Sequence, residues 1–275
     1  PANIIFSSGT TGTPKAIVWS HCTLIKCAVD GYFHQDLHNN DRLAWPTSLG
    51  WMMGSWLIAQ RINSVTICLF QGLPHSKEFA QFVEAARVTV LGVIPSLVQT
   101  WQARNSVQHA DWSNVRLFSS TGEASDPDNY LWLSSRVKGY APIIEYCGGT
   151  EIGGSFLSSV LHLPNVPSMF NTPVLGTDLR LLHNGTVFDN DKDDIISGEL
   201  ALIPPSIGWS VELLNRNHHD CYFSGMPVYK DVVLRRHGDE FQKIGQYYRA
   251  LGRCDDTMNL SGIKVSCVEL ERVCN

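Results

Sequence analysis

The 275-residue sequence predicts an α/β fold: a mostly parallel sheet flanked by helices, followed by a small antiparallel β subdomain. Up to about residue 155, short β-branched runs alternate with helical stretches, as expected of parallel strands joined by crossover helices. Val88–Ile94 is nearly continuous in apolar residues, which is typical of a strand buried on both faces. Beyond about residue 170, the apolar runs lie between Pro-, Gly- and Asn-rich turns, which favours antiparallel strands.

The elements of the first half follow from this alternation. Strands are predicted at Ile4–Phe6, Leu43–Trp45, Val65–Phe70, Val88–Ile94, Val115–Phe118 and Ile143–Tyr146. Helices are predicted at about Ser20–Phe33, Gly54–Ile62, Ser76–Arg87 and Leu97–Trp101, with one more opening at Pro127. Ser76 and Asp126 have side chains that can cap a helix, and Pro95 and Pro127 suit the first helical position.

The second half is predicted to be rich in short strands. Apolar runs occur at Asp178–Leu182, Gly198–Ile203 and Asp231–Leu234, and Val265–Val273 begins a further element. We therefore expect an α/β subdomain over residues 1–170, a β-rich subdomain over 171–252, and a hinge with the beginning of another domain over 253–275.

Composition and charge narrow the class of protein. A net charge of −5 gives no reason to expect nucleic acid or an anionic membrane surface as a partner. Eight scattered cysteines without a C-x-x-C pair suit free thiols in a reducing compartment. The uncharged stretch 43–60 is interrupted by Pro46 and two glycines, so a buried strand, turn and helix are expected rather than an integral membrane segment. Because Pro1 is not Met and no signal peptide precedes the first strand, we expect the chain to begin inside a longer protein.

Residues 7–15, SSGTTGTPK, are the first candidate binding element. A loop with so little side chain can close its backbone N–H groups around an anion, and Lys15 adds a positive charge. A flexible linker is the alternative. A P-loop is disfavoured because Ala16, not Ser or Thr, follows the lysine.

Two further polar loops follow predicted strands, SSTGEAS at 119–125 and GGTEIGG at 148–154. In open α/β sheets, ligands bind at the carboxyl ends of the strands. The shared placement of the three loops therefore favours a phosphate site over a linker.

Six motifs then occur in a fixed order along the chain. They are SSGTTGTPKA at 7–16, GWMMG at 50–54, STGEA at 120–124, EYCGGTE at 145–151, HGD at 237–239 and GRCDDTMNLSGIKVSCVELE at 252–271. In these motifs the sequence resembles the adenylate-forming superfamily of acyl-CoA synthetases, luciferases and peptide-synthetase adenylation domains. Among subgroups it is most similar to acetyl- and acetoacetyl-CoA synthetases and to plant peroxisomal acyl-activating enzymes.

The resemblance implies a carboxylate–CoA ligase that uses ATP, Mg²⁺ and CoA and acts on a small carboxylic acid. It also implies an N-terminal part and a C-terminal domain with a catalytic lysine outside residues 1–275, so a fragment is expected. The alternative is a nucleotide-binding module with no ligase activity of its own. The compartment implied is intracellular, peroxisomal or cytoplasmic.

The resemblance also implies roles for individual residues. ATP phosphates are expected to contact Ser8, Gly9, Thr10, Thr11, Gly12, Lys15 and Thr150, with Thr150, Glu151 and Lys15 as the catalytic set and Glu151 as the Mg²⁺ ligand. Adenine is expected at Gly122, Glu123, Ala124, Glu145, Tyr146 and Cys147. Ribose is expected at Asp239 and Arg253, the hinge and a phosphate contact at Asp255 and Lys264, and CoA at Ser261.

The residue types agree with these roles. Glu151 is the only acid in its loop, and Mg²⁺ prefers one or two carboxylates together with phosphate oxygens and water. The carboxylate of Asp239 can accept hydrogen bonds from both ribose hydroxyls. The ring of Tyr146 can stack on a purine, although a core aromatic is the alternative. Lys264 stands where many relatives have Arg, and lysine cannot form a bidentate fork.

The acyl pocket is expected to involve Trp51, Met52 and Gly148. Acetyl-CoA synthetases have a Trp at the position of Gly148, so its absence is expected to leave room for acids longer than acetate. We therefore predict a short-to-medium or branched acid as the substrate. Core packing is the alternative role for the methionine.

Overall fold

Seven strands form the main sheet of the protein. The computed structural model describes residues 1–7, 13–188 and 195–254, with the backbone alone at 257–260 and 263–266. After the strands of a hairpin, β1 (Asn3–Ser7) and β2 (Lys15–Trp19), come the seven strands of this sheet. They are β3 (Arg42–Ala44), β4 (Thr66–Cys68), β5 (Val90–Val93), β6 (Leu117–Ser120), β7 (Ile143–Gly149), β8 (Gly154–Ser158) and β9 (Thr172–Pro173). Their order is β4-β3-β5-β6-β7-β8-β9, with parallel pairing from β4 to β7 and antiparallel pairing beyond it.

Helices cover both faces of this sheet. They are α1 (His21–Phe33), α2 (Met52–Ala59) with a 3-10 turn at Gln60–Asn63, α3 (Lys77–Ala85), α4 (Pro95–Arg104) and α5 (Pro127–Ser134). Adjacent residues of β6 point to opposite faces of the sheet. Leu117 packs in the hydrophobic cluster that contains Trp56 of α2, and Phe118 packs in the cluster that includes residues of α3 to α5. The predicted caps are confirmed, because Ser76 and Asp126 accept backbone N–H groups of α3 and α5.

The second half forms an antiparallel sheet, as its turn-rich sequence predicts. Its strands are β10 (Asp178–His183), β11 (Thr186–Val187), β12 (Ile195–Ile203), β15 (Arg235–Ile244) and β16 (Tyr247–Arg253), in the order β11-β10-β12-β15-β16. Between β12 and β15 lie α6 (His218–Tyr222), β13 (Val228–Tyr229) and β14 (Val232–Val233), and β17 (Thr257–Leu260) pairs with β18 (Ile263–Ser266). The predicted fold class is thus confirmed, whereas the division at 170 and 252 stays a prediction.

One expectation about the main sheet is wrong. β1 does not belong to it; β1 and β2 form a separate antiparallel pair in which Phe6 opposes Ala16 and Ser7 opposes Lys15. The Gly-rich loop therefore joins two strands of a hairpin rather than a parallel strand to a helix. The reason is the apolar run Ala16–Trp19, which pairs with the equally apolar Asn3–Phe6 before α1 begins at His21.

Within the described part of the chain, no helix has both the length and the apolar character needed to cross a membrane. The uncharged stretch 43–60 folds instead as the end of β3, a turn and α2.

Candidate active site

The turn between β7 and β8 holds Thr150 and Glu151, and α1 supports it from below. The Cys27 thiol donates to the carbonyl of Gly153 at 2.9 Å, and the Ser155 N–H donates to Asp30 Oδ2 at 3.0 Å. On the other side, Trp19 Nε1 donates to the carbonyl of Thr150 at 2.7 Å. The turn is therefore tied to the core by side chains of β2 and α1.

This support depends on an ion pair inside the protein. Lys26 and Asp30 are fully buried and hydrogen-bonded, one helical turn apart. Asp30 also accepts from the Tyr146 hydroxyl at 2.8 Å. Burial raises the pKa of the Asp30 carboxyl, while Lys26 and these donors oppose the rise. Removing both charges from water is costly, and the hydrogen bonds of the pair are needed to offset that cost.

Close packing explains a glycine at the end of the turn. Gly153 has φ +65°, and a Cβ there would lie 2.0 Å from Thr23 Cγ2 of α1. A side chain would thus meet both backbone strain and a direct clash. The glycine lets α1 approach the turn that presents Glu151.

Lys15 and Glu151, which lie 136 positions apart in the sequence, meet in space. Lys15 Nζ is 3.7 Å from Glu151 Oε1, and it also lies 5.0 Å from the ring centroid of Tyr222 in α6. Glu151 is largely buried, and Lys15 is partly exposed. The base of the Gly-rich loop and the β7–β8 turn therefore face each other, as the resemblance implies for a phosphate site.

Arg235 lies behind this pair and was missed from the sequence. The residue is 1% exposed, and its guanidinium carbon lies 4.3 Å from the Tyr222 ring centroid and 5.3 Å from that of Trp209. Burial lowers the pKa of Arg235, while the charge of Glu151 opposes that decrease. Arg235 Nη2 also donates to the backbone carbonyl of Glu151 at 3.5 Å, so a buried cation lies against the turn that presents Glu151. Its position just before the HGD motif was the available signal.

The predicted ribose residues are brought together by the second sheet. Asp239 of β15 opposes Arg253 of β16, and Arg253 Nη1 donates to Asp239 Oδ1 at 3.0 Å. The two residues lie on the paired strands of a β-hairpin. His237 Nδ1 lies 2.6 Å from Asp239 Oδ2.

Gly149 joins this group to Glu151. A Cβ at Gly149 would lie 2.8 Å from His237 Nε2 and 3.3 Å from Glu151 Oε2, so both side chains converge on it. Lys15, Glu151, His237, Asp239 and Arg253 thus form a continuous series of polar groups drawn from four distant motifs.

Two of the expected adenine residues, Glu145 and Tyr146, have side chains that are buried in the protein. The Tyr146 ring is 1% exposed, and its hydroxyl accepts from Trp56 Nε1 while donating to Asp30, so the ring cannot stack on a ligand in this conformation. Glu145 is also buried, with Ser125 Oγ donating to its Oε1 at 2.6 Å. Burial raises the pKa of Glu145 to about 7, against the effect of Ser125 and Ser120. Both side chains are buried for one reason: β7 is a central strand covered on both faces.

The other expected adenine residues lie nearer the surface. Gly122 and Ala124 are exposed and Cys147 is partly exposed. Glu123 Oε2 accepts the Ser96 N–H at 2.9 Å and so supports the first turn of α4. These four stay predicted contacts.

The expected acyl-pocket residues differ among themselves. Trp51 is 51% exposed, whereas Met52 packs against the core of α1 and α2. A Cβ at Gly148 would lie 1.8 Å from the carbonyl oxygen of Gly154. No side chain fits at Gly148 with the backbone in this position, and its role in an acyl pocket stays a prediction.

Several predicted residues lie outside the described part of the chain. These are Ser8, Gly9, Thr10, Thr11, Gly12, Asp255 and Ser261. The backbone of Lys264 is described in β18, opposite Asn259.

Glu151 offers a single carboxylate for a metal. No group of three or more His, Cys, Asp or Glu side chains able to hold a metal ion occurs in the described residues. One carboxylate beside a phosphate site fits Mg²⁺, which keeps water and phosphate oxygens as its other ligands.

Comparison with known proteins agrees with this geometry. The family model described as "AMP-binding enzyme" matches residues 1–205. The chain is 52% identical over 280 residues to the probable acyl-activating enzyme 17, peroxisomal, of Arabidopsis thaliana, covering 99% of this chain and 38% of that protein. It is 51% identical over 276 residues to hexanoyl-CoA synthase of Cannabis sativa, with the same coverage of 99% and 38%.

A solved structure extends the comparison to the fold. The acetoacetyl-CoA synthetase from Streptomyces lividans superimposes with a TM-score of 0.81 at 27% identity, covering 98% of this chain and 42% of that one. The chain thus spans about two-fifths of the length of these proteins. With the motifs, the fold and the family match in agreement, the chain belongs to the AMP-binding enzyme family.

Proposed function

We propose that this chain is the nucleotide-binding part of an AMP-forming carboxylate–CoA ligase. One observation supports this most strongly: Lys15 and Glu151 lie 3.7 Å apart, and Glu151 converges on Gly149 with the His237–Asp239–Arg253 group. Phosphate-binding and ribose-binding candidates thus lie in one continuous site. Such preorganised charges suit a reaction at phosphorus, where catalysis depends on alignment and charge neutralisation.

The proposed reaction has two steps. A carboxylate oxygen of the acid attacks the α-phosphorus of ATP, and the bond to pyrophosphate breaks, which leaves an acyl-adenylate. The thiol of CoA then loses its proton and attacks the acyl carbonyl, and AMP leaves. Lys15 would neutralise phosphate charge, and Glu151 would hold Mg²⁺, which screens the phosphates when bound. Asp239 would orient the ribose.

The proposed acid is short to medium in length or branched, rather than acetate. This rests on the similarity to a protein named hexanoyl-CoA synthase. Gly148 adds no side chain to the pocket, and exposed Trp51 is the candidate wall. Peroxisomal localisation is proposed from the name of the acyl-activating relative.

Isothermal titration of this chain with Mg·ATP tests the nucleotide site. We expect binding that Lys15→Ala and Glu151→Gln each weaken by about tenfold or more, since each removes a charged contact. Asn114→Ala, an exposed position before β6, is the control and should bind as the parent chain does. If Mg·ATP does not bind, or binds equally to Lys15→Ala, the proposal is wrong.

Pyrophosphate release, measured with acetate, butanoate, hexanoate and branched acids, tests the ligase reaction. Release with hexanoate above acetate supports the proposed substrate, and a strict acetate preference contradicts it. If this chain binds nucleotide without releasing pyrophosphate and a longer chain with a C-terminal domain releases it, the ligase-fragment proposal is supported. If neither chain releases pyrophosphate, a binding module is favoured.

A further inference from the structure

Residues 209–216, which we call the bridging segment, lie between β12 and α6 against the hairpin of the Gly-rich loop. The Leu214 N–H donates to the carbonyl of Ala16 at 3.0 Å, and the Val18 N–H donates to the carbonyl of Glu212 at 3.4 Å. Ile17 and Leu213 oppose each other as an antiparallel bridge. The bridging segment thus borders β2 on the edge that β1 leaves open.

At its end, the side chain of Asn215 binds the backbone on both sides of Lys15. Asn215 Oδ1 accepts the Ala16 N–H at 2.9 Å, and Asn215 Nδ2 donates to the Pro14 carbonyl at 2.7 Å. An amide supplies an acceptor and a donor on one rigid plane, which this pair of backbone groups requires. Arg216 adds a hydrogen bond to the carbonyl of Thr13. The backbone before and after Lys15 is therefore fixed by a residue 200 positions away.

The other end of the bridging segment contacts the opposite half of the site. The Ser210 N–H donates to the carbonyl of Glu151 at 2.9 Å, and Ser210 Oγ donates to the carbonyl of Glu212 at 2.9 Å. The same eight-residue segment thus joins the backbone around Lys15 to the Glu151 backbone. One short segment therefore contacts the backbone at both charged residues.

We propose that Asn215 is a positioning residue for nucleotide binding, which fixes Lys15 opposite Glu151 through its hydrogen bonds to Pro14 and Ala16. The inference rests on the proposed function, because the group positioned is the candidate phosphate contact. Asn215 touches no reacting atom in this scheme; it acts through the backbone of Lys15.

Substitution of Asn215 tests this with two readouts. In Asn215→Ala we expect Mg·ATP to bind roughly tenfold more weakly, because Lys15 is no longer fixed opposite Glu151, and the Ala16 amide to exchange its hydrogen faster. The melting temperature of the nucleotide-free protein should fall by only a few degrees, because Asn215 is exposed and lies outside the core. Asn215→Asp keeps an acceptor for the Ala16 N–H and loses the donor to Pro14. It should therefore restore the protection of Ala16 while still weakening binding.

The outcomes separate the two proposals. If Lys15→Ala weakens binding but Asn215→Ala and Asn215→Asp bind as the parent chain does, the positioning role is wrong and the nucleotide site stands. If the parent chain does not bind Mg·ATP, both are wrong. Should Asn215→Ala fail to fold, Asn215→Asp decides alone. Asn114→Ala serves as the matched control and should change neither readout.

Discussion

The two halves of the candidate site are held in different ways. The turn with Glu151 is fixed by the core beneath it, through Cys27, Asp30 and Trp19. The hairpin with Lys15 lies outside the main sheet and is fixed laterally by the bridging segment. Glu151 can move only if the core beneath its turn is disrupted. Lys15, which the bridging segment holds from the side, can be displaced while the core stays folded. Substitutions should therefore separate stability from binding.

The largest effect is expected where the core supports the turn. Asp30→Ala leaves Lys26 as an unpaired charge in the interior, and it should lower the free energy of unfolding by about 3–5 kcal/mol. Urea denaturation measures this change. Asp178→Ala removes an exposed partner of Arg180, and as the control it should cost about 1 kcal/mol or less. Equal costs for the two variants would contradict a core-held turn.

The next effect is a pH dependence at Glu145. Its pKa is raised by burial from 4.5 to about 7, so over that range the folded protein keeps a proton that the unfolded chain releases. Stability contributed by this group is therefore present at low pH and lost as the pH rises from 4.5 to 7, by about 3 kcal/mol. His34 contributes in the opposite sense, because burial lowers its pKa to about 4.

The glutamine of Glu145→Gln has no proton to release, so this variant should not lose stability as the pH rises. The difference in the free energy of unfolding between the variant and the parent should therefore grow across that pH range. Denaturation at a series of pH values measures it. Glu212→Gln, at an exposed position, should follow the parent curve. Parallel curves for Glu145→Gln and the parent would contradict a buried carboxyl with a raised pKa.

The smallest effect is expected at Tyr146, where stability should change and nucleotide affinity should not. Tyr146→Phe removes one hydrogen bond to Asp30 and one from Trp56, and it should cost about 1–2 kcal/mol of stability. Because the ring is buried, the affinity for Mg·ATP should not change. A loss of affinity with stability unchanged would restore Tyr146 as an adenine contact.

Much of the site was predictable because local chemistry marks it. Glycines, hydroxyls and Lys15 mark a candidate phosphate loop, and an acid that follows two glycines marks Glu151 as a candidate metal ligand. The caps of α3 and α5 were equally readable. The role of Tyr146 was not, because an aromatic side chain in a motif is compatible with stacking or with packing. Only the coverage of β7 on both faces distinguishes them.

The sequence by itself determined the fold class, the helix caps and the family, since each rests on local patterns or ordered motifs. The tertiary structure alone placed the strands that flank the Gly-rich loop in a separate hairpin, set the backbone of Gly154 against Gly148, and brought Arg235 and Asn215 to the candidate site. These depend on contacts between residues far apart in the chain. Periodicity cannot reveal such contacts, because it reports which face of an element is buried and not what covers that face.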